Sequence, residues 1–377
     1  MIFELAFSKN TAQSILFTLC CGVGAACYGE ERDTSPAAAA DIINTTGFWD
    51  GFAATSRWGR PFWADMNATI TRGEVAFATN SPEYDWADKG GRYRPYVFSN
   101  LGVDLPVWSG DFAGGRHGLS VTLPFMIDVW LDMFERTTAP VINTGYRFGV
   151  PEVAYLRRLQ TPWMGIKNFA IRFSPLKHEC THIGDELTIH RKDDTMSITR
   201  VNVSYNYLEL MFAVNDPDGS RRRNHSVRAG MLMVYDYQRG WYSILPEEGD
   251  VSLVQPSNHP LEWYVQYQYQ TNTSRRGFQG IASAEVRGRE RYSYPFFYSG
   301  KLGYFLEHNE KMYQRLNSIE EKLCTNIFVG VRYCNPKRSG YFSKIGVGMR
   351  YYTGINPYGQ FRSLPLYRQL GLALMFE

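Results

Sequence analysis

Apolar and polar residues alternate along most of the chain, from about residue 67 to the C-terminus. Between residues 201 and 207, Val203, Tyr205 and Tyr207 belong to an apolar face, while Ser204 and Asn206 belong to a polar one. A period of two residues is that of a β-strand with two unlike faces, so the pattern predicts an all-β fold. The same alternation recurs in segments 119–129, 142–148, 263–270, 327–333 and 345–351.

The length of these segments distinguishes two kinds of β-protein. Several run for about ten to fourteen residues, whereas strands of soluble sheets average five to six. Roughly ten tilted residues are enough to cross a bilayer. Aromatic residues make up 15% of the chain and lie near segment ends, as membrane-interface residues do. We predict an antiparallel transmembrane β-barrel of about 12 strands (range about 10 to 14), with a soluble secreted β-protein as the alternative.

The N-terminus has the features of a Sec-type signal peptide. Lys9 is basic, residues 15–26 are rich in apolar side chains, and Gly24, Ala25 and Ala26 are small residues suited to cleavage. We therefore predict a signal peptide over 1–27, an N-terminal arm over 28–66 and the barrel over 67–377. Export with this signal indicates the outer membrane of a Gram-negative bacterium.

Two further segments carry structural predictions. Residues 308–323 break the alternation, and apolar residues recur there at helical spacing, which predicts a short loop helix. The chain ends in an alternating strand with Phe376 next to the C-terminus. Such a strand resembles the signal that bacterial outer-membrane proteins present to the barrel-assembly machinery. We expect that machinery and the outer-membrane lipids to be the partners of the chain.

The net charge of the chain excludes few classes of function. The net charge is +3 and the basic residues are scattered, so nothing indicates nucleic-acid binding. No pattern indicates an organic cofactor. Because the polar faces of the strands are expected to point inward, seven arginines are predicted to line the lumen. They favour a narrow, anion-leaning channel, or a salt-bridged interior in a structural surface protein. They are Arg147, Arg172, Arg200, Arg228, Arg287, Arg332 and Arg350.

The densest group of polar residues lies at 178–186. It resembles the signature of an uncharacterised family of bacterial secreted or outer-membrane proteins, a domain of unknown function with the approximate pattern His-x-Ser-Ser/Thr-His-Leu/Ile-Gly-Asp-Glu. Segments 143–149 and 200–204 are also similar to that family. The resemblance implies a shared barrel and brings no established activity. The residues that match are His178, Thr181, His182, Gly184, Asp185 and Glu186, with Cys180 where the family has Ser.

Three interpretations of this cluster remain open. The first is a structural hydrogen-bond network. The second is a metal site, but His178 and His182 would lie about 13 Å apart on one strand, so we predict no metal. The third is an outer-membrane lipid or ester hydrolase, with His178 as base, Cys180 as nucleophile and Glu186 or Asp185 as the orienting group. If the inward parity of Arg172 and Ser174 continues, the later residues of the same parity point into the lumen: His178, Cys180, His182, Glu186 and His190.

Overall fold

A computed structural model of the chain describes residues 62–65, 69–79, 94–133, 141–163, 166–184, 197–198, 203–215, 223–237, 261–272, 274, 277–290, 298–299, 321–334, 344–358 and 367–376. The described residues form strands β1 (Thr71–Thr79), β2 (Arg94–Phe112), β3 (His117–Leu131), β4 (Val141–Gly149), β5 (Glu152–Trp163), β6 (Ile166–Ile183), β7 (Ser197–Ile198), β8 (Val203–Val214), β9 (Asn224–Tyr237), β10 (Leu261–Gln270), β11 (Phe278–Glu290), β12 (Tyr298–Ser299), β13 (Glu321–Cys334), β14 (Lys344–Gly354) and β15 (Tyr367–Phe376).

The long strands close into one antiparallel barrel with twelve wall positions. Strand β1 closes it by pairing with β15 on one side and β2 on the other. Strands β4 and β5 share a single position between β3 and β6. They are separated at Val150 and Pro151, and proline has no N–H group to donate to the ladder. The predicted barrel of about 12 antiparallel strands is confirmed.

The two ends of the barrel differ in the length of their connections. One end has short connections, at 113–116, 164–165 and 271–277, and we call it the short-turn end. The other end, the long-loop end, has connections at 184–202, 238–260 and 291–320. Strand β1 begins and β15 ends at the short-turn end, where Thr71 pairs with Phe376. In outer-membrane barrels the short turns are periplasmic and the long loops extracellular.

The outer face of the wall is apolar. On β15, Leu370, Leu372 and Leu374 point outward and are 42%, 59% and 43% exposed, while Gln369 and Ala373 are buried inside. Such an apolar outer band is the surface that contacts lipid in outer-membrane barrels and does not fit a soluble β-protein. Within the described part of the chain, no helix is long and apolar enough to cross a membrane.

The interior is filled by side chains. Near the long-loop end, aromatic rings pack face to edge or stacked, as between Tyr96 and Trp130 at 5.3 Å and between Phe98 and Tyr358 at 5.6 Å. Deeper inside, Arg350 lies 2.8 Å from the Glu74 carboxylate, with neither side chain exposed. Buried charges of this kind require partners, and the barrel supplies them from facing strands.

A short N-terminal segment, Phe62 to Asp65, lies inside the barrel. The Trp63 N–H donates to Gln268 Oε1 at 3.1 Å and the Ala64 N–H donates to Ser283 Oγ at 3.2 Å. The Asp65 carboxylate lies 3.6 Å from Arg287. These four residues therefore act as an internal plug bound by the wall strands β10 and β11.

Several predictions about segments can be placed on this fold. The signal peptide over 1–27 lies outside the described residues. Of the N-terminal arm over 28–66, only 62–65 are described, and they are the plug. The predicted loop helix over 308–323 extends too far toward the C-terminus. Residues 308–320 lie outside the described residues, but Leu323 belongs to β13 and pairs with Gly288. Leu323 points outward like Thr325 and Ile327. It therefore continues the alternation of β13 and extends that strand.

Candidate functional site

A β-bulge in β6 reverses the direction of the side chains that follow it. The pairing of β6 with β8 shifts between Ser174 and Lys177. Before the bulge Ser174 is buried inside; after it, Glu179 and Thr181 are buried inside instead. The parity prediction for His178, Cys180 and His182 was therefore wrong, because one bulge moves every later side chain to the other face.

Ion pairs inside the barrel hold the residue that follows the bulge. Lys177 Nζ lies 2.6 Å from Glu152 Oε1 and 2.7 Å from Glu209 Oε2. The same two carboxylates lie 3.6 and 3.3 Å from Arg172, which precedes the bulge. Tyr264 donates its hydroxyl to Glu209 at 2.6 Å. With Lys177 held inward, the next side chain, His178, is directed outward.

The imidazole of His178 joins two polar side chains of the neighbouring strand. His178 Nδ1 lies 2.6 Å from Asn206 Oδ1, and His178 Nε2 lies 3.2 Å from Ser204 Oγ. Because an amide oxygen can only accept, Nδ1 carries the proton in this arrangement and Nε2 is left to accept from the hydroxyl. Ser204, His178 and Asn206 thus form a hydrogen-bonded series of a hydroxyl, an imidazole and an amide, the kinds of group that serve as nucleophile, base and orienting group in acyl-transfer enzymes.

The site lies on the outside of the wall, near the long-loop end. Ser204 is the second residue of β8, and His178 is five residues before the end of β6. The ring of Phe148, which is 47% exposed, lies 4.8 Å from the His178 ring. The three residues of the site are half-buried. The site therefore lies on the lipid-facing side of the wall.

Strand β8 reverses the expected distribution of polar and apolar residues. The sequence pattern places the polar residues Ser204 and Asn206 inside, yet Tyr205 and Tyr207 are the buried residues, 5% and 3% exposed. Polar side chains on the lipid face of a barrel are costly, and their presence there points to a function. Ser204 and Asn206 were not among the predicted site residues. The similarity of 200–204 to the family pattern covers Ser204 but not Asn206, and it assigns a role to neither.

The other residues of the 178–186 cluster are separated by the wall. Cys180 and His182 face outward, and Cys180 pairs directly with Ser204 across the strands. Thr181 faces the interior. Gly184 lies where a Cβ atom would overlap the Val141 carbonyl. Asp185 and Glu186, the predicted orienting residues, lie outside the described residues.

The contacts of His178 distinguish the two possible nucleophiles. Among the described residues, the Ser204 hydroxyl lies within hydrogen-bonding distance of the His178 imidazole, and the Cys180 thiol does not. No three His, Cys, Asp or Glu residues in the described ranges are grouped so that they could hold a metal ion. The His178 imidazole therefore contacts a hydroxyl and not the predicted thiol.

The predicted lumen arginines lie inside the barrel, except Arg200, which is outside the described residues. Each contacts a carboxylate, a polar side chain or an aromatic ring. Arg147 lies 3.1 Å from Glu179, and Arg228 lies over the Phe62 ring at 4.0 Å. Arg332 donates to Gln279 at 2.8 Å. The remaining three, Arg172, Arg287 and Arg350, lie beside carboxylates.

Comparison with known proteins gives likenesses of fold only. No protein-family model matches the chain, and no curated protein matches its sequence. Among solved structures, it is similar to the outer membrane phospholipase A from Escherichia coli, at 12% identity and a TM-score of 0.43, covering 82% of this chain and 93% of that one. The translocator domain of autotransporter NalP from Neisseria meningitidis matches at 11% identity and a TM-score of 0.38, covering 82% and 88%. The CymD monoaromatic hydrocarbon channel matches at 7% identity and a TM-score of 0.38, covering 87% and 96%. All three are outer-membrane barrels, and this chain shares their barrel fold.

Proposed function

We propose that this barrel is an outer-membrane hydrolase of lipid acyl esters, with Ser204 as nucleophile, His178 as general base and Asn206 as the orienting group. The observation that carries the proposal is the hydrogen-bonded series from Ser204 through His178 to Asn206 on the lipid-facing wall. Membrane lipids surround this face of the barrel, whereas an ester dissolved in water does not contact it.

The chemistry follows from the two hydrogen bonds. His178 Nε2 accepts the Ser204 proton as Oγ attacks the ester carbonyl, and the imidazolium then protonates the departing alcohol oxygen. Water deprotonated by the same nitrogen hydrolyses the acyl-serine and returns the proton to Oγ. Asn206 keeps the Nδ1 proton in place throughout, which fixes the imidazole in the tautomer that the reaction needs.

The site differs from the Cys180 hydrolase that the sequence suggested. Cys180 shares the outer face and pairs with Ser204, so it lies next to the reacting hydroxyl. Among the described residues, the Cys180 thiol makes no hydrogen bond with His178, and such a hydrogen bond would be needed to activate it. We propose that Cys180 lines the site and that Ser204 reacts.

The channel and structural interpretations remain predictions that the interior supports less well. An open pore leaves its lining exposed to water, whereas Arg228, Arg287 and Arg350 are 1%, 3% and 0% exposed. A cavity of about 10 Å³ beside Glu179, Tyr207 and Arg289 has room for about one water molecule. These observations favour a packed interior and a function carried by the outer wall.

We also propose the cellular setting of this activity. The mature chain would follow a Sec-type signal peptide over 1–27 into the outer membrane of a Gram-negative bacterium. Its last strand, ending at Phe376, would be recognised by the barrel-assembly machinery. We propose that the chain belongs to the family with the His178–Glu186 signature and that the other members of that family have the same fold and site.

Turnover of a lipid in micelles tests the proposal. The refolded barrel should release fatty acid from a diacylglycerophospholipid, and Ser204→Ala should lower the rate by a factor of about 10³ or more while the barrel stays heat-modifiable on gels. Tyr155→Phe, a conservative change far along the wall at the short-turn end, is the matched control and should keep the full rate. Equal rates for wild type and Ser204→Ala would refute the assignment.

A further inference from the structure

A second polar group lies on the outer wall at the short-turn end. Arg223 directly precedes β9, and His225 is the second residue of that strand. Tyr267 and Tyr269 lie near the end of β10. The residues that alternate with them along the two strands are buried inside the barrel, so these four side chains point outward. We call the four residues the Arg223 group.

Contacts within the Arg223 group hold its two basic side chains close together. His225 and Tyr269 are direct partners in the β9–β10 ladder, and their ring centroids lie 4.8 Å apart. The Arg223 guanidinium lies over the same tyrosine ring, 5.5 Å from its centroid. Because residues two apart on a strand share a face and are separated by about 7 Å, the guanidinium and the imidazole can contact one small anion together.

The group leaves hydrogen-bond donors for a ligand. His225 Nδ1 lies 2.7 Å from the Tyr267 hydroxyl oxygen, and one hydrogen joins the two atoms. If Tyr267 donates it, the imidazole carries its own proton on Nε2; if His225 donates it, the hydroxyl hydrogen stays available. Either tautomer therefore leaves one donor. Among the described residues, no acceptor takes this hydrogen and no carboxylate pairs with Arg223.

The outward residues of β9 show at which depth the group lies. After His225 they are apolar: Val227, Ala229, Met231 and Met233. In outer-membrane barrels such a change from polar to apolar marks the boundary between the lipid headgroups and the hydrocarbon, and the short turns are periplasmic. The Arg223 group therefore lies at the depth of the headgroups of the periplasmic leaflet.

The connections beside the group add positive charge. Residues 215–223, between β8 and β9, contain three arginines and two aspartates, which gives a net charge of +1. Residues 271–277, between β10 and β11, contain two arginines and no acidic residue, which gives +2. Basic segments beside a membrane attract anionic lipids, so these connections favour an anionic headgroup over a zwitterionic one.

We propose that the Arg223 group binds the phosphate of an anionic phospholipid in the periplasmic leaflet. The Arg223 guanidinium forms charge-assisted hydrogen bonds with phosphate oxygens, and the His225–Tyr267 pair donates its remaining hydrogen to another oxygen of the same phosphate. The Tyr269 ring contacts both basic side chains and keeps them at this spacing. The site lies at the opposite end of the wall from Ser204 and does not depend on the proposed hydrolase.

Titration with a lipid that cannot be hydrolysed tests the proposal. The dialkyl-ether analogue of phosphatidylglycerol has no ester for the barrel to cleave, and native mass spectrometry in a nonionic detergent gives the Kd of the bound lipid. Arg223→Gln should raise this Kd about tenfold, and His225→Phe, which keeps a ring but no donor, should raise it about 3- to 10-fold. Arg368→Gln, which removes the same charge from an exposed position at the long-loop end, is the matched control and should leave the Kd unchanged.

The outcomes separate a specific site from a general attraction of charge. An equal rise in Kd for Arg223→Gln and Arg368→Gln, or no rise for Arg223→Gln, overturns the proposal. Equal Kd values for the ether analogues of phosphatidylglycerol and phosphatidylcholine overturn the preference for an anionic lipid. Displacement of the lipid by inorganic phosphate at the same concentration would mean that the site takes free phosphate, and overturns the lipid assignment. If Arg223→Gln does not fold into a heat-modifiable barrel, His225→Phe decides in its place.

Discussion

His178 Nδ1 lies 2.6 Å from Asn206 Oδ1 on the adjacent strand. The two residues are also direct partners in the β6–β8 ladder, so the backbone register itself sets their distance. An imidazole held in this way cannot rotate without breaking its hydrogen bond to Asn206. The contact therefore fixes both the position and the tautomer of the proposed base.

Removing the orienting amide should slow the reaction without unfolding the barrel. Asn206→Ala removes one hydrogen bond worth about 1–3 kcal/mol in the transition state, so kcat should fall about 10- to 100-fold with little change in KM. Asn206→Asp keeps an acceptor at the same place and should retain most of the rate. The check is steady-state lipid hydrolysis. A larger loss for Asn206→Asp than for Asn206→Ala would contradict the orienting role.

The thiol next to the site should be dispensable. Cys180→Ala removes the neighbour of Ser204 and leaves both hydrogen bonds of His178 in place, so lipid turnover should stay within about threefold of wild type. The same assay after treatment with a small thiol reagent should show slower hydrolysis for the wild type only, because the added group would obstruct Ser204. Loss of turnover in Cys180→Ala would instead favour Cys180 as nucleophile.

The ion pairs behind the site should matter for stability. Lys177→Met leaves the Glu152 and Glu209 carboxylates without one of their cations, and breaking a buried pair of this kind costs about 3–5 kcal/mol. Urea unfolding in phospholipid vesicles should show this decrease in the free energy of unfolding. Lys167→Met, at an exposed position on the same strand, should change it by less than about 0.5 kcal/mol. Equal effects of the two changes would contradict the role given to Lys177.

The internal plug should be detectable through a glycine of the wall. A Cβ atom at Gly346 would overlap the Trp63 ring, so Gly346→Ala should lower the free energy of unfolding by about 1–3 kcal/mol. In a Trp63→Ala background the same change should cost almost nothing, and this non-additivity is the measurement. Gly73→Ala, whose Cβ has no atom within 4 Å, is the control. Additive effects would mean that Trp63 does not lie against Gly346.

Much of the barrel could be predicted because its determinants are local. Alternation in β13, β14 and β15 follows directly from an apolar outside and a filled inside, so the strand type and the approximate strand number can be derived from the residues alone. The filling of the lumen by Phe62–Asp65 could not be derived. Four residues have no useful periodicity, and their place depends on partners such as Gln268 and Ser283 that are more than 200 positions away.

The site itself could be predicted only in part. His178 stood out as part of a polar cluster, but its direction depends on a bulge, and the bulge is held by Lys177 with carboxylates from β5 and β8. Such long-range ion pairs leave no mark on the local pattern. Ser204 and Asn206 became visible as site residues only when the register of β6 and β8 placed them against the imidazole.

Labelling with a fluorophosphonate tests the central claim most directly, because this reagent modifies only a serine whose hydroxyl is activated by a base. The folded barrel in detergent is treated with the reagent, digested and examined by mass spectrometry. We predict a single modified residue, Ser204, with labelling that is lost in His178→Ala and retained in Cys180→Ala. An unmodified Ser204, or labelling of Ser204 that persists in His178→Ala, would contradict it.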